Sequence, residues 1–181
     1  MLNQGHLVEK YAIGQPVPRK EDPTLVQGLG RYTDDIALPG QAHAFVVRST
    51  IAHGVINDID LSAARDMPGV LAAFDGKELQ AAGFGLLKCR VPLHNADGSP
   101  MAHPPRPALA IDKVRFVGDP VAVIVAETLA QAKDAAEAVG LDIEPLPAVT
   151  SARAAAAPDA PVIFDEAPGN VQLHFHHGDK H

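Results

Sequence analysis

The strongest constraint on the fold lies in the middle of the chain, where residues 121–126 are all apolar. Residues 118–120, Gly-Asp-Pro, come directly before this run and favour a turn. An uninterrupted apolar run of this length is typical of a strand that is buried on both faces. It is too short to cross a membrane as a helix, which takes roughly 20 apolar residues. We therefore predict a central strand in which Val123 and Val125 are buried.

A helix is predicted directly after this strand. Thr128 can cap its first turn, Gln131 follows three residues later, and Gly140 would close it. Apolar residues recur at helical spacing, most of them alanine: Leu129, Ala132, Ala135, Ala136 and Val139. Because alanine side chains are small, this face would let the helix lie close against a sheet.

Five further strands and two short helices are predicted from weaker signals. The strands are short apolar segments bounded by turn-forming residues, at positions 42–47, 55–61, 70–74, 108–117 and 141–146. Ser62 can cap a single helical turn. Asp75 and Glu78 have the spacing of a capping box, so a short helix is expected to begin there and to end at Gly83.

Three segments carry few signals for packed structure. Residues 13–23 contain three prolines, which block a helix and remove backbone donors, so an extended arm is expected. Residues 84–107 contain five prolines and predict a long surface loop. From Ser151 onwards alanine and proline dominate, as in a linker. The expected organisation is an arm over 1–24, one domain over 25–150, and an Ala/Pro-rich linker over 151–181.

Charge and cysteine content exclude several classes of protein. The net charge is −7, and no run of lysine or arginine exceeds two residues, so a footprint for nucleic acid or for an anionic membrane is missing. Cys89 is the only cysteine, which excludes an internal disulfide and an iron–sulfur cluster held by four cysteines of this chain. Since the first residues also lack the apolar stretch of a secretory signal, a cytoplasmic protein is expected.

Two patterns that could bind a cofactor or a metal fail on spacing. Gly28 and Gly30 begin a dinucleotide fingerprint, but position 33 is threonine and no strand is predicted before the turn. Three histidines near the C-terminus lack the paired spacing of structural zinc sites: His174, His176 and His177. We predict that these histidines are exposed, and we assign no catalytic, cofactor-binding or metal-binding residue.

Six segments in register resemble one known family. They are IGQPVPRKEDP at 13–23, GLGRYTDDIALPG at 28–40, the stretch 47–70, the stretch 106–139, DIEPLPAV at 142–149 and APGNV at 167–171. In this order and spacing they are similar to the start of the large, molybdopterin-binding subunit of xanthine dehydrogenases, aldehyde oxidases and carbon monoxide dehydrogenases. The resemblance runs from about Ile13 to about Gly178.

The resemblance implies an α+β fold, the α/β hammerhead domain, with a mixed and largely antiparallel sheet and a few helices. It also implies a molybdenum hydroxylase, which oxidises aldehydes, N-heterocycles or carbon monoxide with water. In this family the molybdopterin contacts and the catalytic glutamate lie further along the large subunit. The 2Fe-2S clusters and FAD sit in other domains or subunits. No cofactor is therefore expected on this chain alone.

The resemblance further implies that the chain packs against the remainder of the large subunit, and against iron–sulfur and FAD subunits where these contact it. Seven residues at two predicted turns are candidates for such an interface: Arg31, Tyr32, Asp34, Asp35, Arg115, Gly118 and Asp119. For the adjacent carboxylates of Asp34 and Asp35, the simpler role is helix capping or ion pairing with Arg31 or Arg48.

Two other interpretations stay open. The hammerhead is similar to parts of biotinyl and lipoyl carrier folds, and a free-standing carrier would expose a lysine at a hairpin tip. Lys88 is the nearest match, but it falls in the irregular segment. The chain could also be a natural split subunit or a fragment of the large subunit, and the sequence alone does not distinguish these two.

Overall fold

The computed structural model describes residues 14, 17–88, 91 and 93–178. Contacts divide the chain into two units, residues 1–41 and 42–181. In the first unit, α1 (Asp22–Leu25) is followed by a left-handed turn at Gly28, whose φ is +69°. The helix overlaps the end of the predicted arm, because Pro23 occupies its first turn, where the missing N–H costs no hydrogen bond. The rest of the arm, before residue 17, lies almost entirely outside the described residues.

The second unit contains two antiparallel sheets of three strands each. In the first sheet β5 (Pro120–Ala126) lies between β1 (His43–Arg48) and β3 (Val70–Asp75). In the second sheet β2 (Gly54–Asp60) lies between β4 (Lys113–Val114) and β6 (Gly140–Pro145). The predicted α+β class with largely antiparallel pairing is confirmed. The division into two sheets depends on long-range pairing that no local pattern encodes.

Three helices pack around the first sheet. They are α2 (Ser62–Arg65), α3 (Gly76–Ala81) and α4 (Leu129–Glu137). The longest, α4, contacts β1, β5 and β3, and its Ala132 and Ala135 are both 0% exposed. The predicted cap is confirmed, since Thr128 Oγ1 accepts a hydrogen bond from Gln131 N. The helix ends at Glu137, before Gly140, which begins β6 instead of closing the helix.

The capping box predicted before α3 is also confirmed. Asp75 Oδ1 accepts from Glu78 N at 2.7 Å, and Glu78 Oε2 accepts from Asp75 N at 3.1 Å. The helix then begins at Gly76, which packs against the backbone of Leu109 and Ala110. A Cβ atom at Gly76 would lie 2.8 Å from the carbonyl oxygen of Leu109, so no larger residue fits there without a shift. The helix ends at Ala81, and Gly83 follows with a φ of +85°.

Two predictions about strands need correction. The strand predicted over 108–117 is only two residues long, Lys113–Val114, because Leu109 and Ala110 are buried beneath the start of α3 and the chain turns before Lys113. In β5, Val121, Ala122, Ile124 and Ala126 are buried, whereas Val123 and Val125 are half-buried. Val121, Val123 and Val125 share one face of the strand. This face is therefore covered less completely than the face that carries Ile124.

The segment 84–107 contains no helix or named strand among its described residues, as predicted. Its backbone nevertheless makes hydrogen bonds within the segment and with the chain beyond residue 170. His94 pairs with Pro100 across a turn. The chain beyond residue 170 joins this turn: Ala96 N donates to His174 O and Ala102 N donates to Gln172 O. The stretch predicted as a linker thus makes backbone contacts with the domain, and it also contains α5 (Ala152–Ala155). Where the domains begin and end stays a prediction.

Asn170 orders the chain that leads to this contact. Its Nδ2 donates to the carbonyl oxygens of Ala155 and Pro161 at 3.0 Å, and its Oδ1 accepts from Ile163 N at 2.9 Å. Asn170 itself has a φ of +56°, a conformation that asparagine tolerates better than most residues. Three hydrogen bonds from one side chain therefore hold residues 155–170 as a closed loop.

Replacing Ile124 tests whether β5 carries the core. Its side chain is 0% exposed, and Phe45 and Ala73 lie opposite it on the two neighbouring strands. Ile124→Ala should lower the free energy of unfolding by about 2–5 kcal/mol, and Ile124→Val by about 1 kcal/mol, through lost burial and a cavity. The matched control is Leu71→Ala, at an exposed position of β3, which should change it by less than about 0.5 kcal/mol. Urea denaturation measures all three. Equal midpoints for Ile124→Ala and Leu71→Ala would contradict this placement.

Candidate interface site

Four of the candidate interface residues lie in one short turn of the first unit. A 3-10 helix spans Thr33–Asp35, and Asp35 Oδ2 accepts from Tyr32 N at 2.8 Å, so Asp35 caps the turn as predicted. Tyr32 is exposed, as are its neighbours. The side chains of Arg31 and Asp34 make no hydrogen bond or ion pair with the described residues.

The other three candidates lie in the turn that joins β4 to β5. Arg115 N donates to Asp119 Oδ2 at 2.9 Å, which closes the turn. Gly118 N donates to Ser49 O, and Ser49 N donates to Asp119 O, so two backbone hydrogen bonds attach the turn to the end of β1. Gly118 has a φ of +92°, which favours glycine at this position. The turn is therefore held rigidly by backbone contacts.

The side chain of Arg115 is bonded to other residues of its own chain. Its side chain is 15% exposed; Nε donates to Ile163 O at 3.3 Å, and Nη1 donates to Lys113 O at 3.1 Å. The guanidinium carbon also lies 4.7 Å from the centre of the Phe164 ring, a cation–π contact. Arg115 thus fastens the segment around residue 163 to the turn, and little of its charge is left for a partner.

Asp119 is half-buried between these contacts. Burial raises the pKa of its carboxyl group above the ordinary range, although the hydrogen bond from Arg115 N and the nearby guanidinium act in the opposite direction. The native protein therefore binds a proton at this carboxyl more tightly than the unfolded chain does.

The turn presents apolar residues that the sequence analysis did not single out. Phe116 and Val117 are 54% and 66% exposed, although both lie beside a well-ordered backbone. The sequence predicts both residues within the strand over 108–117, and only the early end of that strand at Val114 places them in the turn. Of the residues at the tip, these two offer the apolar area that a partner could cover.

The described residues contain neither a cluster of metal-ligating side chains nor a dinucleotide fingerprint. No group of three or more His, Cys, Asp or Glu side chains lies close enough to hold an ion in the part of the chain that the structure describes. Gly28 follows the four-residue helix α1 and not a strand, so the phosphate-binding geometry of a dinucleotide site is missing there. Cys89 lies outside the described residues, and Lys88 has no strand beside it.

Two substitutions separate the hydrogen bond of Asp119 from its charge. Asp119→Ala leaves Arg115 N without its acceptor and should lower the free energy of unfolding by about 1 kcal/mol. Asp119→Asn keeps an accepting oxygen and removes the cost of a half-buried charge, so its stability at pH 7 should equal or exceed that of the parent.

The parent protein and the Asp119→Asn variant should also differ in how their free energies of unfolding depend on pH. Because the folded pKa of Asp119 is raised, its contribution to stability is greatest below the ordinary pKa of about 4 and declines as pH rises through the folded pKa. Urea unfolding of the parent and of Asp119→Asn across this range measures the difference. A difference that does not change with pH would contradict the assignment.

Comparisons with known proteins place this fold and this turn in one family. The family model described as "Aldehyde oxidase and xanthine dehydrogenase, a/b hammerhead domain" matches residues 27–147. The large subunit of nicotine 6-hydroxylase from Paenarthrobacter nicotinovorans is 39% identical over 166 residues, 92% of this chain and 20% of that subunit. The large chain of carbon monoxide dehydrogenase from Hydrogenophaga pseudoflava is 37% identical over 152 residues, 84% of this chain and 18% of that one.

Solved structures agree with the sequence relatives. The Cu,Mo-containing carbon monoxide dehydrogenase in its carbon monoxide-reduced state matches with a TM-score of 0.70 and 33% identity, over 89% of this chain and 20% of that one. Quinoline 2-oxidoreductase from Pseudomonas putida matches with a TM-score of 0.64 and 37% identity, over 77% of this chain and 17% of that one. The chain thus spans about a fifth of its relatives. It belongs to the aldehyde oxidase and xanthine dehydrogenase family, and residues 27–147 form the α/β hammerhead domain of that family.

Proposed function

We propose that this chain is the non-catalytic N-terminal structural domain of the large subunit of a molybdenum hydroxylase. The observation that carries the proposal is the match, at up to 39% identity, to about a fifth of subunits that are named as large or molybdenum-binding. The described residues supply a folded core and two exposed turns, and they contain no group of three or more His, Cys, Asp or Glu side chains that could hold a metal ion. The domain contributes shape and contact surface to the subunit, while the remainder supplies the chemistry.

The enzyme of which this domain forms a part oxidises an aldehyde, an N-heterocycle or carbon monoxide, and takes the oxygen from water. Its relatives act on such compounds by name, as nicotine 6-hydroxylase, quinoline 2-oxidoreductase and carbon monoxide dehydrogenase. In the assembled enzyme molybdopterin is bound by the remainder of the large subunit. The 2Fe-2S clusters and FAD are carried by other domains or subunits, and the enzyme works in the cytoplasm. No helix in the described residues has the length and apolar character to cross a membrane.

The two turns are the surfaces through which the domain contacts its partners. In the first, Tyr32 and the side chains beside it are exposed on a capped turn. In the second, Asp119 and Gly118 hold the backbone in place, so that Phe116 and Val117 are presented at a fixed position. A preorganised turn loses little conformational freedom when a partner covers it. These residues contact the remainder of the large subunit and, where the surface extends, an iron–sulfur or FAD subunit.

A chimeric enzyme tests the proposal. In the large subunit of nicotine 6-hydroxylase, the 166 matching residues are replaced by their counterparts from this chain. Since a structural domain should be exchangeable between relatives, the chimera is expected to contain molybdenum at a stoichiometry close to that of the parent subunit. Plasma mass spectrometry of the purified protein measures the content.

The matched control is the same subunit with those 166 residues deleted, which should be devoid of molybdenum. A chimera that is soluble and folded but contains no molybdenum would show that the domain does not fill the place of its relative. A deletion variant that contains as much molybdenum as the parent would show that the subunit does not need this domain.

A further inference from the structure

Two adjoining hollows lie on the domain beside the irregular segment. The larger, about 970 Å³, runs between residues 86–88 and residues 103–106, and the smaller, about 360 Å³, lies between Arg106 and the turn at Phe116. Both hollows share Leu87, Pro105 and Arg106 in their walls, so they form one continuous surface. We call this surface the proline groove.

The walls of the proline groove are largely apolar and exposed. Leu86, Leu87 and Phe116 are all more than half exposed, and Leu87 reaches 63%. These three large apolar side chains lie in one concave surface, which offers apolar area that another protein segment could cover.

The shape of the groove is fixed by its backbone. Pro104, Pro105 and Pro107 restrict φ along one wall, and Leu87 N donates to Arg106 O at 2.7 Å across it. The chain near residue 172 closes the far side, where Ala102 N donates to Gln172 O. A wall with few remaining degrees of freedom is preorganised for binding.

The larger hollow is lined by basic but not by acidic side chains, although the chain as a whole is acidic, whereas the smaller hollow is also lined by Asp119. Lys88 and Arg106 are exposed in the larger hollow, and neither makes a hydrogen bond or an ion pair through its side chain with a described residue. No acidic residue lines that hollow, whereas the chain carries a net charge of −7. In the smaller hollow Arg115 is already bonded within the chain, so Arg106 is the cation that is left to pair.

We propose that the proline groove docks an apolar segment that carries a carboxylate, and that this segment belongs to the remainder of the molybdenum-binding large subunit. The proposal rests on the function proposed above. Four-fifths of each related subunit lies outside the region matched by this chain, so the remainder of such a subunit is a source for the covering segment. Apolar side chains of the segment would cover Leu86, Leu87 and Phe116, while its carboxylate would pair with the Arg106 guanidinium.

Hydrogen exchange detects such a segment directly. The backbone amides of Leu86, Lys88 and Arg106 should exchange roughly tenfold or more slowly in the chimeric subunit than in the purified 181-residue chain. Amides of α4, which packs inside the domain, serve as the reference and should exchange alike in both proteins. A second copy of this chain as the occupant would instead slow exchange in the isolated chain as its concentration rises, and that result would overturn the proposal.

A charge reversal tests the carboxylate. Arg106→Glu should lower the Tm of the chimera by several degrees more than it lowers the Tm of the isolated chain, because the new carboxylate would face the one on the segment. Arg106→Lys should keep most of the parent Tm in both proteins. The matched control is Lys77→Glu, an exposed lysine on α3 away from the groove walls, which should shift both proteins equally.

These outcomes separate the two proposals. A chimera without molybdenum contradicts the proposed function, whatever the groove does. A chimera that contains molybdenum but shows fast exchange at Leu86, Lys88 and Arg106 overturns the groove proposal alone. Slow exchange combined with equal effects of Arg106→Glu in both proteins would show that the covering segment carries no carboxylate at that point, and would also overturn it as stated.

Discussion

The close packing of α4 against the first sheet is the contact on which the rest of the domain depends. Ala132 and Ala135 present almost no side chain beyond Cβ, which lets the helix approach β1 and β5 closely, and both are fully buried. This packing fixes β5, whose Ile124 lies between the two neighbouring strands. The turn before β5 is attached to the end of β1 by two backbone hydrogen bonds to Ser49. The turn that carries Phe116 is thus attached to the sheet against which α4 packs.

Much of the fold could be predicted because the signals are local. The cap at Thr128, the capping box of Asp75 and the apolar run of β5 each depend on residues within a few positions of one another, and all are present. The pairing of the strands into two sheets is not local. Neither is the burial of Leu109 and Ala110 under the start of α3, which shortened the strand that their apolar character predicted.

In the candidate site, too, the contacts between residues close in sequence could be predicted and those with a distant segment could not. The sequence predicts the turn at 118–120, but it places residues 115–117 in the preceding strand, which ends at Val114, and it makes Arg115 a candidate interface residue. In the structure Arg115 instead donates a hydrogen bond to Ile163 and makes a cation–π contact with Phe164. Both residues lie almost 50 positions further along the chain, in a stretch that resembles a linker. Asn170 orders that stretch with three hydrogen bonds. Local sequence patterns thus do not reveal which charged turn residues a distant segment of the same chain will bind, and the interface role of the candidate residues stays a prediction.

In the role proposed above the domain acts through its surface and holds no cofactor, so the composition of the isolated chain tests that role. The most direct measurement is the metal content of the 181-residue chain, purified from a host that makes the molybdenum cofactor and iron–sulfur clusters. The account predicts a folded protein with no stoichiometric molybdenum or iron, because the proposed role leaves molybdopterin and the iron–sulfur clusters to other parts of the enzyme, and the described residues contain no group of three or more metal-ligating side chains. One molybdenum atom per chain in the purified, folded protein would contradict it.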